Sequence, residues 1–259
     1  MTHPVTTPSV GLQLYTMRSV VEPLDDLLAR VAGLGYDGVE TVATQGVSAK
    51  ALREALERHG LRFASAHVGL AVLRDALPEA LRTYAAAGAE AIVVPWLDPS
   101  DRPATAIGWR ELARELATLG AAAREAGLPL AYHHHAFELE SVDGETPLEI
   151  ILDAAPAVDL ALELDVGWLV QAGHDPAAWI QRVAGRCIRL HAKDIGAGPY
   201  GPTGAPWADV GDGVVDWPAV IAAARRAEVP WLLVEHDTPS DPWRTAGRSV
   251  EALRGMLAG

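Results

Sequence analysis

Gly127-Leu128-Pro129-Leu130-Ala131-Tyr132-His133-His134-His135 reads as a helix stop, a buried strand and a polar strand end in succession. Glycine just past a helix supplies the left-handed residue that turns the chain back. The short apolar run after it suits a parallel strand covered by helices. The same unit recurs upstream. Leu24, Leu27, Leu28, Val31 and Leu34 mark one face of a helix that stops at Gly35, and Tyr36 to Val39 form a strand ending on Glu40. The next helix stops at Gly60, and Leu61 to Ala66 end on His67; after Gly88, Ala91 to Val94 end near Trp96. Downstream, Val158 to Leu164 end on Asp165, Cys187 to Leu190 on His191, and Trp231 to Val234 on Glu235. The opening run Val10 to Tyr15, which carries Gln13, completes eight strands.

Eight such units suit a closed barrel or a doubly wound sheet. No strand is followed by a glycine-rich dinucleotide fingerprint, and polar residues end almost every strand instead of clustering at one switch point. The expectation is therefore an α/β fold, a (β/α)8 TIM barrel, as a single domain over residues 1–259. The chain is 49% hydrophobic, enough for a sizeable core. A net charge of −13 opposes nucleic acid, whose phosphates call for a basic footprint. Neither a leader-like start nor an apolar stretch of membrane-spanning length stands out, so a cytoplasmic protein without a membrane role is expected. The single cysteine, Cys187, opens an apolar run and reads as a buried inert thiol.

Six of nine histidines (His67, His133, His134, His135, His191 and His236) sit at strand C-termini. The last four strands bring Glu138, Asp165, His191 and Glu235 to one rim. Three carboxylates and an imidazole repel or protonate one another unless a divalent cation lies among them. The oxygen-rich set suits one Mn²⁺, Mg²⁺ or Co²⁺ ion, and Zn²⁺ is compatible. A lone Asp more often caps a helix or pairs with Arg; four such groups at successive strand ends favour the metal. In a strand His133 and His135 share one face and His134 the other, packed under a helix. Lys193, two residues past His191, is placed to hold a substrate oxygen, against the plainer reading of an outward salt bridge. Trp96, Trp168 and Trp207 serve equally as walls for a sugar ring or as core. The Gly- and Pro-rich stretch 196–213 reads as a substrate cover or a mere insertion.

Several of these segments resemble the sugar phosphate isomerase/epimerase-like proteins, the xylose isomerase-like barrels. Tyr132-His133-His134-His135-Ala136-Phe137-Glu138 is similar to their Tyr-His-Asn-His-Asp-Phe-Glu motif. Leu164-Asp165-Val166-Gly167-Trp168 and Leu190-His191-Ala192-Lys193-Asp194 resemble Leu-Asp-Val-Gly-Trp and Leu-His-Val-Lys-Asp, and the likeness runs in order from Gly11 onward. It implies one divalent metal held by two Glu, one Asp and one His: by position Glu138, Asp165, His191 and Glu235, with His133 or His135 as alternatives to the first. It also implies isomerisation or epimerisation of a sugar or keto-polyol. Glu138, Glu235, His133, His135 and Lys193 are the expected catalytic groups. Gln13, Glu40, His67, Trp96, Trp168 and His236 are the expected substrate contacts.

A lyase acting on an inosose-like ring or a 3-keto-glycoside is the alternative, and a non-catalytic binding barrel a further one. DNA repair fits poorly, because the position three past Asp165 is Trp168 and not a histidine. The expected partner is a small carbohydrate, and a homo-oligomer is compatible with this reading.

Overall fold

The computed structural model describes residues 7–199 and 206–259. Its centre is a closed parallel barrel of β1 (Ser9–Gln13), β2 (Gly38–Val42), β3 (Arg62–His67), β4 (Ile92–Val94), β5 (Leu130–His133), β6 (Ala161–Asp165), β7 (Cys187–Ala192) and β8 (Trp231–Val234). Neighbours in sequence are neighbours in the barrel, and β8 pairs back onto β1. The expected (β/α)8 fold is present. The outer layer is α1 (Leu24–Gly33), α2 (Ala49–Arg58), α3 (Leu70–Ala87), α4 (Ala106–Glu125), α5 (Pro147–Ala154), α6 (Val166–Gln171), α7 (Pro176–Arg182), α8 (Trp217–Arg226) and α9 (Pro242–Ala258). Side-chain caps start many of them: Ser48, Thr105, Thr146, Asp175, Asp216 and Asp241 each accept a backbone N–H of the first turn. None of these helices is long and apolar enough to cross a membrane.

Several strands run further than hydropathy indicates. His67, His133 and Asp165 are the last residues of β3, β5 and β6, still in the ladder, with His133 opposite Glu163 and Asp165 opposite His191. The ladder is made by backbone groups, so a polar side chain does not end it.

Two register slips position the site. Between β2 and β3, Val39 pairs with Phe63 but Glu40 with Ser65; between β6 and β7, Leu162 pairs with Cys187 but Glu163 with Arg189. Side chains alternate faces along a strand, so skipping Ile188 turns Arg189 and His191 to the face of Glu163 and Asp165. Without it Ile188 and Leu190 would point there.

The barrel interior is layered. At the bottom Trp231 is fully buried with Ala64 and Leu233. Gly38 makes room for that indole: a Cβ there would lie 2.8 Å from the Trp231 ring and 2.4 Å from the Arg62 carbonyl oxygen. Above it come Gln13, Glu40, Ser65, Glu163 and His191, all buried and polar. The outward faces of the strands join the helices in the main apolar core, which includes Leu12, Leu162, Leu190, Leu232 and Val234.

Candidate functional site

A cavity of about 550 Å³ opens at the C-terminal mouth, lined among others by Tyr15, Trp96, His133, His135, Trp168 and Glu235. At its floor one atom each from His133, Asp165, His191 and Glu235 lies within 4.8 Å of all the others, and all four residues are buried. Each comes from the end of a different strand, β5 to β8, which is why four distant segments converge.

Asp165 is divided between two tasks. Its Oδ1 caps α6 by accepting the Trp168 N–H at 2.9 Å. Its Oδ2 is buried with no hydrogen bond directed at it, although the Lys193 ammonium lies 3.2 Å away. Lys193, only 1% exposed, also sits 2.7 Å from Glu235 Oε2 and 3.0 Å from Asp237 Oδ1, with the Trp168 and Trp207 rings about its Nζ at 5.3 and 4.9 Å. Burial would raise the Asp165 and Glu235 carboxyls; the Lys193 charge and the His191 ring outweigh it and hold both below the usual range.

His191 faces acceptors on both edges: Nδ1 is 2.9 Å from Glu235 Oε2, and Nε2 is 2.7 Å from Glu40 Oε1 and 3.0 Å from Glu163 Oε1. A neutral imidazole has one N–H and serves only one edge. Either the ring is charged, and against burial the carboxylates of Glu163, Glu235 and Glu40 do raise its pKa well above normal, or a cation replaces the Nδ1 proton. The donor set fits a divalent ion on both counts: a buried Asp165 oxygen that accepts no hydrogen bond, and two carboxylates with two imidazoles.

Of the expected site residues, Asp165, His191 and Glu235 come together with Lys193 beside them, and His67, His133, His135, Trp96 and Trp168 line the cavity. Glu138 is not brought to the group. It sits in a short 3₁₀ turn, Phe137–Leu139, where its oxygens accept from the Tyr132 hydroxyl and the His135 N–H, each at 2.7 Å. His133 occupies the fourth place instead, because β5 carries it into the barrel before the chain leaves for that turn. Burial pushes the Glu138 carboxyl up to about 7.

His134 is fully buried, and its Nε2 accepts the N–H of Asp165, the residue that caps α6, at 3.1 Å. Gln13 and Glu40 lie below the floor, bonded to each other at 2.6 Å. His236 faces a neighbouring depression with Trp207, Asp209 and Thr245. Cys187 is buried, and desolvation pushes its thiol up to about 12. Hydropathy missed Glu163, a mid-strand carboxylate between two leucines. Its spacing of two from Asp165 on one strand was the available signal.

The stretch read as a cover is anchored at its base. Asp194–Ile195 pair antiparallel with Trp207–Ala208, and the Asp194 carboxylate accepts from the N–H groups of Ile195, Gly211, Gly213 and Val215 and from the Trp217 indole. Residues 200–205 of that stretch lie outside the described residues.

The family model described as the xylose isomerase-like TIM barrel matches residues 28–256. An inosose dehydratase of Bacillus anthracis is 26% identical over 190 residues, 66% of this chain and 63% of that protein, so the match spans less than two thirds of the relative. A sugar phosphate isomerase/epimerase from Parabacteroides distasonis superposes with a TM-score of 0.82 at 21% identity, covering 96% of this chain and 94% of that one. A D-allulose 3-epimerase from Methylomonas sp. in complex with D-allulose gives 0.71 at 15% identity, covering 96% and 97%. With its closed barrel and with most of its length matched by the family model, the chain belongs to the xylose isomerase-like TIM barrel family.

Proposed function

We propose that the protein acts on a keto-sugar or keto-polyol by removing the proton beside a carbonyl and returning it, an isomerisation or epimerisation that depends on one divalent ion held by His133, Asp165, His191 and Glu235. The observation that carries this reading is the buried, hydrogen-bond-free Asp165 Oδ2 among four convergent donors on the floor of a cavity. When bound, the ion supplies Lewis acidity to the carbonyl and its neighbouring hydroxyl.

The side chains do the rest. Glu235, held ionised, lines the cavity and takes the proton. His135 is kept neutral by burial and by the nearby His133 and Lys193, so it faces the substrate as a proton acceptor and donor. Lys193, buried among the carboxylates of Asp165, Glu235 and Asp237, holds Glu235 in the ionised form that accepts a proton. Trp96 and Trp168 offer flat apolar faces to a ring. Among the described residues Arg18 is the one arginine or lysine lining the cavity, and it already donates to the Tyr15 and Asp237 carbonyls, which favours an unphosphorylated substrate.

The inosose dehydratase relatives favour a second outcome, in which the same proton abstraction is followed by loss of a β-hydroxyl. Incubation with ketohexoses and inososes in D₂O, followed by NMR and mass spectrometry, separates the two. Deuterium next to the carbonyl with conserved carbon-skeleton composition supports reprotonation; loss of water supports elimination. Turnover undiminished after chelation and dialysis would overturn the metal-dependent reading.

A further inference from the structure

Behind the mouth donors lies a buried polar layer that the chemistry above does not use. Glu163 Oε1 lies 2.9 Å from His67 Nε2, 3.0 Å from His191 Nε2 and 3.2 Å from His133 Nδ1. The last approach does not meet hydrogen-bond geometry. Glu40 Oε1 takes the same His191 nitrogen at 2.7 Å, and is itself held by Gln13 at 2.6 Å, while Ser65 Oγ donates to its Oε2 at 2.5 Å. All of Glu40, Glu163 and His191 are 0% exposed.

Two carboxylate oxygens converge on His191 Nε2, so with a cation at the mouth the one ring proton belongs there, and the Nδ1 lone pair is left facing Asp165 and Glu235. Two of the four donors are imidazoles. The set has one negative charge fewer than a set in which a third carboxylate replaces His133. Glu163 places that charge one step back, against both imidazoles.

We propose that Glu163 is a positioning residue: from behind His133 and His191 it supplies the third negative charge of the metal centre and fixes which His191 nitrogen is presented. This rests on the metal-dependent reading above.

The test compares the metal-free wild type, E163Q, E163D, H133E and H133E/E163Q by Co²⁺ titration, with chelator competition for affinity, metal analysis for stoichiometry and visible absorption for geometry. The wild type binds one equivalent. E163Q binds about 10- to 100-fold more weakly, the usual loss when a carboxylate behind a ligating histidine is removed, and its Co²⁺ spectrum shifts. H133E also binds poorly, because the new carboxylate faces Glu163 at close range. In H133E/E163Q the charge moves from the second layer to the first, and affinity returns to within about tenfold of the wild type; a merely architectural role would predict no such rescue. If E163Q does not fold, the gain in affinity from H133E to H133E/E163Q reads the same charge, and E163D, which keeps the carboxylate, is expected to bind more tightly than H133E. Unchanged affinity in E163Q, or no rescue in the double variant, overturns this inference alone. Two equivalents in the wild type with one lost in E163Q overturns it by making Glu163 a ligand. No metal bound by the wild type overturns the underlying reading and the inference with it.

Discussion

Glu138→Gln probes the side chain that the structure withdraws from the metal donors. In the folded protein its carboxyl is pushed up to about 7 by burial, against an ordinary value of 4.5. Below the ordinary value both states carry the proton, and stability does not depend on this group. As the pH rises from there, the unfolded chain releases the proton while the folded chain keeps it, so folding loses ground until the folded carboxyl also ionises near 7. At 1.36 kcal/mol per unit, the loss is about 3 kcal/mol. Glutamine mimics the neutral form and does not titrate. Its amide can donate to the Tyr132 hydroxyl, which turns to accept, while the His135 N–H still finds the amide oxygen. Urea denaturation of the metal-free proteins at pH 5, 6, 7 and 8, followed by circular dichroism, is expected to show E138Q about 1 kcal/mol more stable than the wild type at pH 5 and about 3 kcal/mol more stable at pH 8. Parallel profiles for the two proteins would refute the reasoning. E138Q is also expected to retain metal; its loss would return Glu138 to the ligand set.

Three further outcomes follow from single positions. In Gly167→Ala the added methyl meets the Trp207 ring at 2.8 Å and the Lys193 side chain at 3.0 Å. A loss of about 1–3 kcal/mol in denaturant titration is expected, with reduced activity as Lys193 is displaced. Asp194→Ala strips an acceptor from five donors, those of Ile195 and Trp217 buried, and should cost about 3 kcal/mol or more and lower the melting temperature. Cys187, with its thiol pushed up to about 12 by burial, should stay unmodified by a disulfide reagent at pH 8 in the native state and react once on unfolding.

Much of the fold is legible in the chain alone, because it rests on local chemistry. Glycines such as Gly88 and Gly127, both at positive φ, end helices, and apolar runs that follow them have nowhere to go but a covered strand. Eight repeats with polar ends specify a barrel whose mouth collects Asp165, His191 and Glu235. What the chain does not reveal is which neighbours share a face. Hydropathy ends β5, β6 and β7 too soon, since the backbone ladder continues past the last apolar side chain. Glu138 looks as suitable a donor as His133 until the 3₁₀ turn after β5 carries it to Tyr132. Glu163 stays hidden between leucines until the slip across Ile188 sets Arg189 and His191 on its face. Sequence by itself determined the strands, their order and the residues available at the mouth, because each depends on contacts a few positions long. Only the tertiary structure decided which of them meet, because one skipped residue between two strands inverts which side chains face the barrel axis.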